Sequence, residues 1–409
     1  MNSADSLTSH IVSTLAMTPF DMAAVNGYLW FSAVGFNGLC CVHPQTGETK
    51  FLGSFPEEEK DKTFLHSQVC YCDGKLVFSP NFSKGIDIYD IEAKRFERIE
   101  LPADIVSNYG GEHTKTYAMH QTGHKFVLLG FFQPIIIFFD LLTRKVNIEQ
   151  NMYEKLYGSV YNRNLPVFKK SSCLAEGCTF GLCAQSNQLI IVDMALGTYE
   201  LWNGIEKQFD TISYDGEYFW LSSDNDIFRM KNYVIEKIIS LETTYKFVLS
   251  KCIGNYIYFI ANDKEEIVIV DKKEVAAFPK LLKKRSKDII PADDGGMRVY
   301  NGILESENHE AVIICEYSNT IFFMKNGQVD RTVDFIFEKS IPELELVAVE
   351  SLMKWGNAGN LYEENLKLWL WYISALDSKM DENKSNLVCT GVNIYQDINE
   401  VIEKKHREE

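Results

Sequence analysis

Apolar residues in this chain arrive in short runs, and turn-forming pairs separate the runs. DMAAV (21–25) leads through Asn26-Gly27 into YLWFSA, and SQVCYC leads through Asp73-Gly74 into KLVFSP. Asn-Gly and Asp-Gly supply the positive φ angles that a two-residue hairpin needs, so each pair marks two antiparallel strands. Two more strands follow in each case: GLCCVH and ETKFLG around the turn PQTG (44–47), then GIDIYDI and FERIEL around EAKR. FVLLGFF (126–132) and PIIIFFDL (134–141) show no alternation of apolar and polar residues. Such runs predict middle strands covered on both faces. Pro134 has no N–H to donate and belongs at the start of its strand.

The turn glycines fall at Gly27, Gly74, Gly123, Gly177, Gly216 and Gly254, giving steps of 47, 49, 54, 39 and 38 residues. A period of roughly 40–50 residues with strand-like sequence on both sides of each turn predicts a β-propeller rather than a helical solenoid. A seventh unit is found at ILESE, AVIICEY, TIFFMK and QVDRTVDFIF, although its first turn, Asn308-His309, lacks the glycine. Asp90, Asp140, Asp193 and Asp271 each close a third strand. They precede the outer turn, far from the axis, so turn capping is expected of them rather than ligand binding.

The expected fold is therefore all-β: a seven-bladed β-propeller of four-stranded blades over residues 20–338. Residues 1–19 form an N-terminal segment in which HIVSTLA (10–16) is a candidate ring-closing strand. From 339 to 409 the pattern turns helical. LYEENLKLWLWYISAL (361–376) has helical spacing, and Ile394, Ile398, Val401 and Ile402 share one side of a last segment. This C-terminal extension carries Trp355, Tyr362, Trp369, Trp371 and Tyr372, an aromatic surplus suited to self-association or partner docking.

Composition narrows the partners. The chain has 409 residues and a net charge of −16, and an acidic body repels phosphate backbones, so nucleic acid is not expected. The N-terminus shows no secretory signal, and no apolar window approaches the ~18–20 residues of a membrane helix. These features predict a cytoplasmic protein without a membrane partner. The ten cysteines lack a C-x-x-C pair and read as buried reduced thiols, with neither a metal nor a cofactor expected.

The repeated hairpins resemble the seven-bladed propeller superfamily. They lack the Gly-His…Trp-Asp pairing of WD-repeat blades and the consecutive glycines of kelch blades. Gly391-x-x-Ile394-Tyr395-x-x-Ile398 looks like the endings of bacterial propeller proteins, a short resemblance that implies no known activity.

A propeller is a scaffold, so function has to be sought in its loops. Two connectors are long: 104–115, between the second and third blades, and 153–172, between the third and fourth. They bring Tyr109, Glu112, His113, Lys115, Tyr157, Tyr161, Asn162, Arg163, Asn164, Lys169 and Lys170 to one sector of the rim, with Asp21 and Asp210 at inner-strand entrances. Tyr, Asn, Arg and Lys on a rigid body suit a polar ligand, sugar-like or anionic, or else a peptide or a partner protein. The leading expectation is a non-catalytic binding or assembly module. The alternative is a propeller hydrolase or lyase at the channel mouth, with a metal on His66, His113 and a carboxylate and with His120 nearby.

Overall fold

The computed structural model describes residues 19–60, 62–103, 105, 115–150, 152, 165–282, 300–315 and 319–336. These residues form seven antiparallel four-stranded sheets, each built from consecutive strands. Blade 1 comprises β1 (Ala23–Val25), β2 (Tyr28–Ser32), β3 (Leu39–Val42) and β4 (Thr49–Gly53). Blade 2 comprises β5 (His66–Cys72), β6 (Lys75–Pro80), β7 (Gly85–Asp90) and β8 (Arg95–Glu100). Blade 3 holds β9 (Thr116–Thr122), β10 (Lys125–Gly130), β11 (Ile136–Asp140) and β12 (Val146–Glu149). Blade 4 holds β13 (Phe168–Ala175), β14 (Cys178–Cys183), β15 (Leu189–Asp193) and β16 (Thr198–Trp202). In blade 5 are β17 (Thr211–Tyr214), β18 (Phe219–Ser223), β19 (Asp226–Lys231) and β20 (Val234–Ser240). In blade 6 are β21 (Phe247–Ile253), β22 (Tyr256–Ala261), β23 (Glu266–Asp271) and β24 (Ala276–Leu281). Blade 7 has β25 (Tyr300–Glu305), β26 (Ala311–Cys315), β27 (Thr320–Lys325) and β28 (Gln328–Asp334).

The expected seven-bladed propeller is what the chain forms. Asn26, Asp73 and Asn326 take the left-handed conformation ahead of Gly27, Gly74 and Gly327, as the turn chemistry requires. The glycine-poor turn of blade 7 is made with His309 at φ 60°. The third-strand aspartates are turn caps: Asp140 Oδ1 accepts the N–H groups of Leu142 and Thr143, and Asp193 Oδ1 those of Ala195 and Leu196. Pro134 lies in the turn just ahead of β11.

The core is a set of wedges between blades. Between blades 1 and 2, Phe55 is 1% exposed and meets Phe78 and Phe96 edge-on at 5.0 and 5.3 Å. Burying one such ring contributes roughly 1.5–3 kcal/mol, and equivalent clusters fill the next five junctions. The unalternating runs become middle strands as expected, with β3 and β26 wholly buried. Outer strands such as β20 and β24 are largely exposed.

Blade 7 meets blade 1 without exchanging a strand among the described residues. Ile336 forms a parallel bridge with Glu48: its N–H donates to Gly47 and its carbonyl accepts from Thr49, both at 2.8 Å. Phe31 stacks on Phe335 at 5.4 Å, and the Gly27 N–H donates to Glu307. A Cβ at Gly47 would come within 2.0 Å of the Asp334 carbonyl, so only glycine allows this approach. The candidate closing strand at 10–16 and the helical extension at 339–409 lie outside the described residues, as does the self-association expected of that extension. Among the described residues no helix is long and apolar enough to cross a membrane.

Candidate functional site

First strands of neighbouring blades pack on one another, so β1, β5, β9, β13, β17, β21 and β25 line the central axis. All seven begin at the same face. Side chains stitch them together: the Gln68 side-chain carbonyl accepts the Met119 N–H, and Ser171 Oγ both donates to Ile212 O and accepts from Ile212 N at 3.0 Å. Cys252 Sγ lies 3.4 Å from Ser213 Oγ.

A cation crosses the mouth on this frame. Lys170, in β13, extends its ammonium to the carbonyl of Asn301 in β25, at 2.7 Å and 131 positions away in sequence. The same Nζ lies 4.9 Å from the Tyr117 ring centroid and 5.6 Å from that of Phe20. The two rings are 6.0 Å apart, and neighbours extend them into a collar. Tyr117 is 4.5 Å from Phe131, Phe131 is 4.7 Å from Phe132, and Phe20 is 5.8 Å from Phe64. Phe64 holds φ 55°, an uncommon conformation for a bulky side chain. Backbone strain of that sort concentrates at ligand clamps.

Beneath the collar sits Asp21. Burial pushes its carboxyl up to about 6, against the pull of Lys251 and Lys170 and a bond from the Val69 N–H at 3.3 Å. Lys251, an exposed residue of the mainly apolar β21, acts on Asp21 and His120 through charge. Burial first and Lys251 second bring the His120 imidazole down to about 4, so it is neutral while its Nε2 bonds Ser172 Oγ at 2.8 Å. Burial also pushes the Cys70 thiol up to about 12. A cleft of ≈ 10 Å³ opens beside Asp21, between Phe20, Ser32 and Gln68. That is room for about one water molecule.

Of the residues expected at the site, the structure brings Asp21 and Lys170 together. Asp210 pairs with Lys169 at 3.1 Å, joining blades 4 and 5 at the rim. Lys115 is only 2% exposed, with its Nζ 3.4 Å from Asn81 O. Burial, then the charge of Lys62, lower its ammonium to about 8. Lys115 is therefore a wall residue and not an open rim contact. Tyr109, Glu112, His113, Tyr157, Tyr161, Asn162, Arg163 and Asn164 lie outside the described residues.

The suggested His66 metal site needs correction. His66 Nδ1 contacts Ser32 Oγ at 2.9 Å and Nε2 contacts Asp87 Oδ2 at 2.8 Å, while Phe55 covers the ring at 4.3 Å. Asp87 also receives Arg98 Nε at 2.8 Å, and Arg98 Nη1 lies 3.0 Å from Glu58. Burial works to raise the Asp87 carboxyl, but the hydrogen bonds and charges of His66 and Arg98 hold it below the ordinary carboxylate range. Both imidazole nitrogens are engaged, and the chain ties blade 1 to blade 2.

Sequence reasoning missed Lys251, Asn301 and the collar. Lys251 was the findable one, as a single lysine in the inner-strand run KFVLSKC.

No protein-family model and no curated protein matches the chain. Solved structures do. Virginiamycin B lyase from Staphylococcus aureus, a catalytically inactive variant with quinupristin, is 12% identical with a TM-score of 0.55; the match covers 74% of this chain and 94% of that one. The extracellular domain of a hybrid two-component system from B. thetaiotaomicron has a TM-score of 0.52 at 12% identity, covering 76% of this chain and 38% of that one. Kluyveromyces lactis Hsv2 with one loop replaced by a linker has a TM-score of 0.50 at 11% identity, covering 78% and 99%. At such identities the likeness is one of fold, and this chain is a seven-bladed β-propeller.

Proposed function

We propose that this propeller is a non-catalytic binding module that captures a small polar ligand through an anionic group at the channel mouth. The observation that carries the reading is the Lys170 ammonium, fixed by Asn301 over the rings of Tyr117 and Phe20, with Lys251 near enough to act on the Asp21 carboxyl through its charge. On a chain of net charge −16, cations gathered at one mouth mark a local reversal of sign. The collar offers flat apolar surface for a sugar face or a peptide side chain.

Asp21 gives the reading a pH signature. An anion beside its carboxylate is repelled, whereas the protonated carboxyl can donate a hydrogen bond. Affinity should rise as pH falls through about 6. The test is calorimetric titration with glucuronate, glucose 6-phosphate and N-acetyl dipeptides, with glucose as the uncharged control. Lys251→Met and Lys170→Met should each weaken an anionic binder about tenfold or more, one charge-assisted contact being roughly 1.5–3 kcal/mol. Equal affinity in both variants, or equal binding of glucose, would remove the cations from the site.

A hydrolase or lyase is the second reading, favoured by Asp21, which titrates where a general acid or base works best. It predicts turnover that follows one ionisation near pH 6 and is lost in Asp21→Asn.

A further inference from the structure

At the opposite ends of the inner strands, two adjacent hairpin turns bring a thiol, a carboxylate and an imidazole together. Cys72 ends β5, and Asp73 follows it in the Asp-Gly turn with φ 45°. His124 stands in the turn between β9 and β10, where Thr122 pairs with Lys125. Cys72 Sγ lies 3.6 Å from His124 Nδ1 across 52 residues of sequence, and Asp73 Oδ2 lies 3.2 Å from the same nitrogen. All three ligand atoms fall within 4.8 Å of one another.

We propose that Cys72, Asp73 and His124 form a site for a zinc-class divalent metal ion, bridging the hairpin turns of blades 2 and 3. Zinc bonds of ~2.3 Å to sulfur and ~2.0–2.1 Å to nitrogen or oxygen, set at tetrahedral angles, place sulfur ~3.6 Å from nitrogen and nitrogen ~3.3 Å from oxygen. The observed separations of 3.6 and 3.2 Å match those two edges, and the sulfur–oxygen edge lies within 4.8 Å. A cation at the centre would contact all three ligand atoms.

The donor set selects the ion. Thiolate and imidazole favour zinc, cobalt and copper over magnesium and calcium, which take oxygen donors. Access runs from base to mouth: Cys72 is 5% exposed, the His124 side chain 35% and the Asp73 side chain 71%. An ion entering from solvent displaces the Cys72 thiol proton to water and meets three protein ligands, leaving the fourth position to water. Gly123 supports the turn, its carbonyl accepting from Gln121 Nε2 at 3.0 Å and lying 3.4 Å from Cys72 Sγ. A search for C-x-x-C misses such a site because its ligands come from neighbouring blades.

Cobalt reports on it directly. Full-length protein without an affinity tag, stripped with a chelator, is titrated with Co²⁺. The expected spectrum has a near-ultraviolet thiolate-to-cobalt band and the intense visible bands of a four-coordinate ion, both displaced by Zn²⁺. Cys72→Ser should abolish the near-ultraviolet band. Asp73→Asn, which suits the left-handed turn, and His124→Gln change exposed side chains and keep the test open if the cysteine variant fails to fold. Each should weaken binding about tenfold or more. Only the weak bands of a six-coordinate ion, a thiolate band surviving Cys72→Ser, or unchanged affinity in both exposed variants would overturn the assignment.

Discussion

Replacing Asp21 with asparagine should make the protein more stable at neutral pH. In the folded state the Asp21 carboxyl is raised from 3.8 to about 6, chiefly by burial. A raised acid holds its proton in the folded chain after the unfolded chain has released it, so folding is favoured below 3.8 and loses ground as pH rises towards about 6. At 1.36 kcal/mol per pH unit, the interval from 3.8 to about 6 corresponds to ~3 kcal/mol. Asp21 is itself only half-buried, which lowers this, and we expect ~1–3 kcal/mol. Asparagine keeps an acceptor for the Val69 N–H without carrying the charge. Urea unfolding at half-unit steps from pH 4 to 8 should show near-equal stabilities at pH 4, divergence up to about pH 6 and a constant gap beyond. A variant less stable at every pH would mean that Lys251 and Lys170 compensate the carboxylate fully, and the reasoning from burial would fail. The gain should be accompanied by loss of pH dependence in anion binding.

Asp87→Ala removes the carboxylate shared by His66 and Arg98 and should cost ~3–5 kcal/mol, read as a lowered urea midpoint. Because Asp87 is held below the ordinary carboxylate range, its contribution is present above ~pH 4 and lost as pH falls through the folded value, so the gap should narrow on acidification. Gly47→Ala meets the Asp334 carbonyl at 2.0 Å as well as an unfavourable φ of 75° and should cost ~2–4 kcal/mol in thermal or urea unfolding. Gly74→Ala has a similar φ of 76° with open space around it, so its cost should stay near ~1 kcal/mol. Equal losses for the two glycine variants would show that the Gly47 contact is not tight.

Turn chemistry carried the architecture. Asn26-Gly27, Asp73-Gly74 and the aspartates that end third strands are local signals, and local signals survive in one dimension. The mouth was legible only in part. Lys170 stood out on a long connector and Asp21 at an inner-strand entrance, but the Asn301 carbonyl meets Lys170 across 131 positions, a separation that ring closure alone bridges. Lys115 looked like a rim residue because its loop is long, yet packing buried it. The three ligands of the proposed metal site show the same limit, since Cys72 and His124 meet only when blade 2 is laid beside blade 3.

The junction of blades 7 and 1 has a consequence for how the molecule breathes. Every described sheet is made from one continuous stretch of chain, so parting this junction breaks the Ile336 bridge, the Phe31–Phe335 stack and the Gly27–Glu307 bond but undoes no sheet. The ring resembles a bracelet with a clasp. Amide hydrogens of Thr49 and Ile336 should therefore exchange with deuterium by a sub-global opening, cheaper than full unfolding, while those of β22 and β23 wait for the global event.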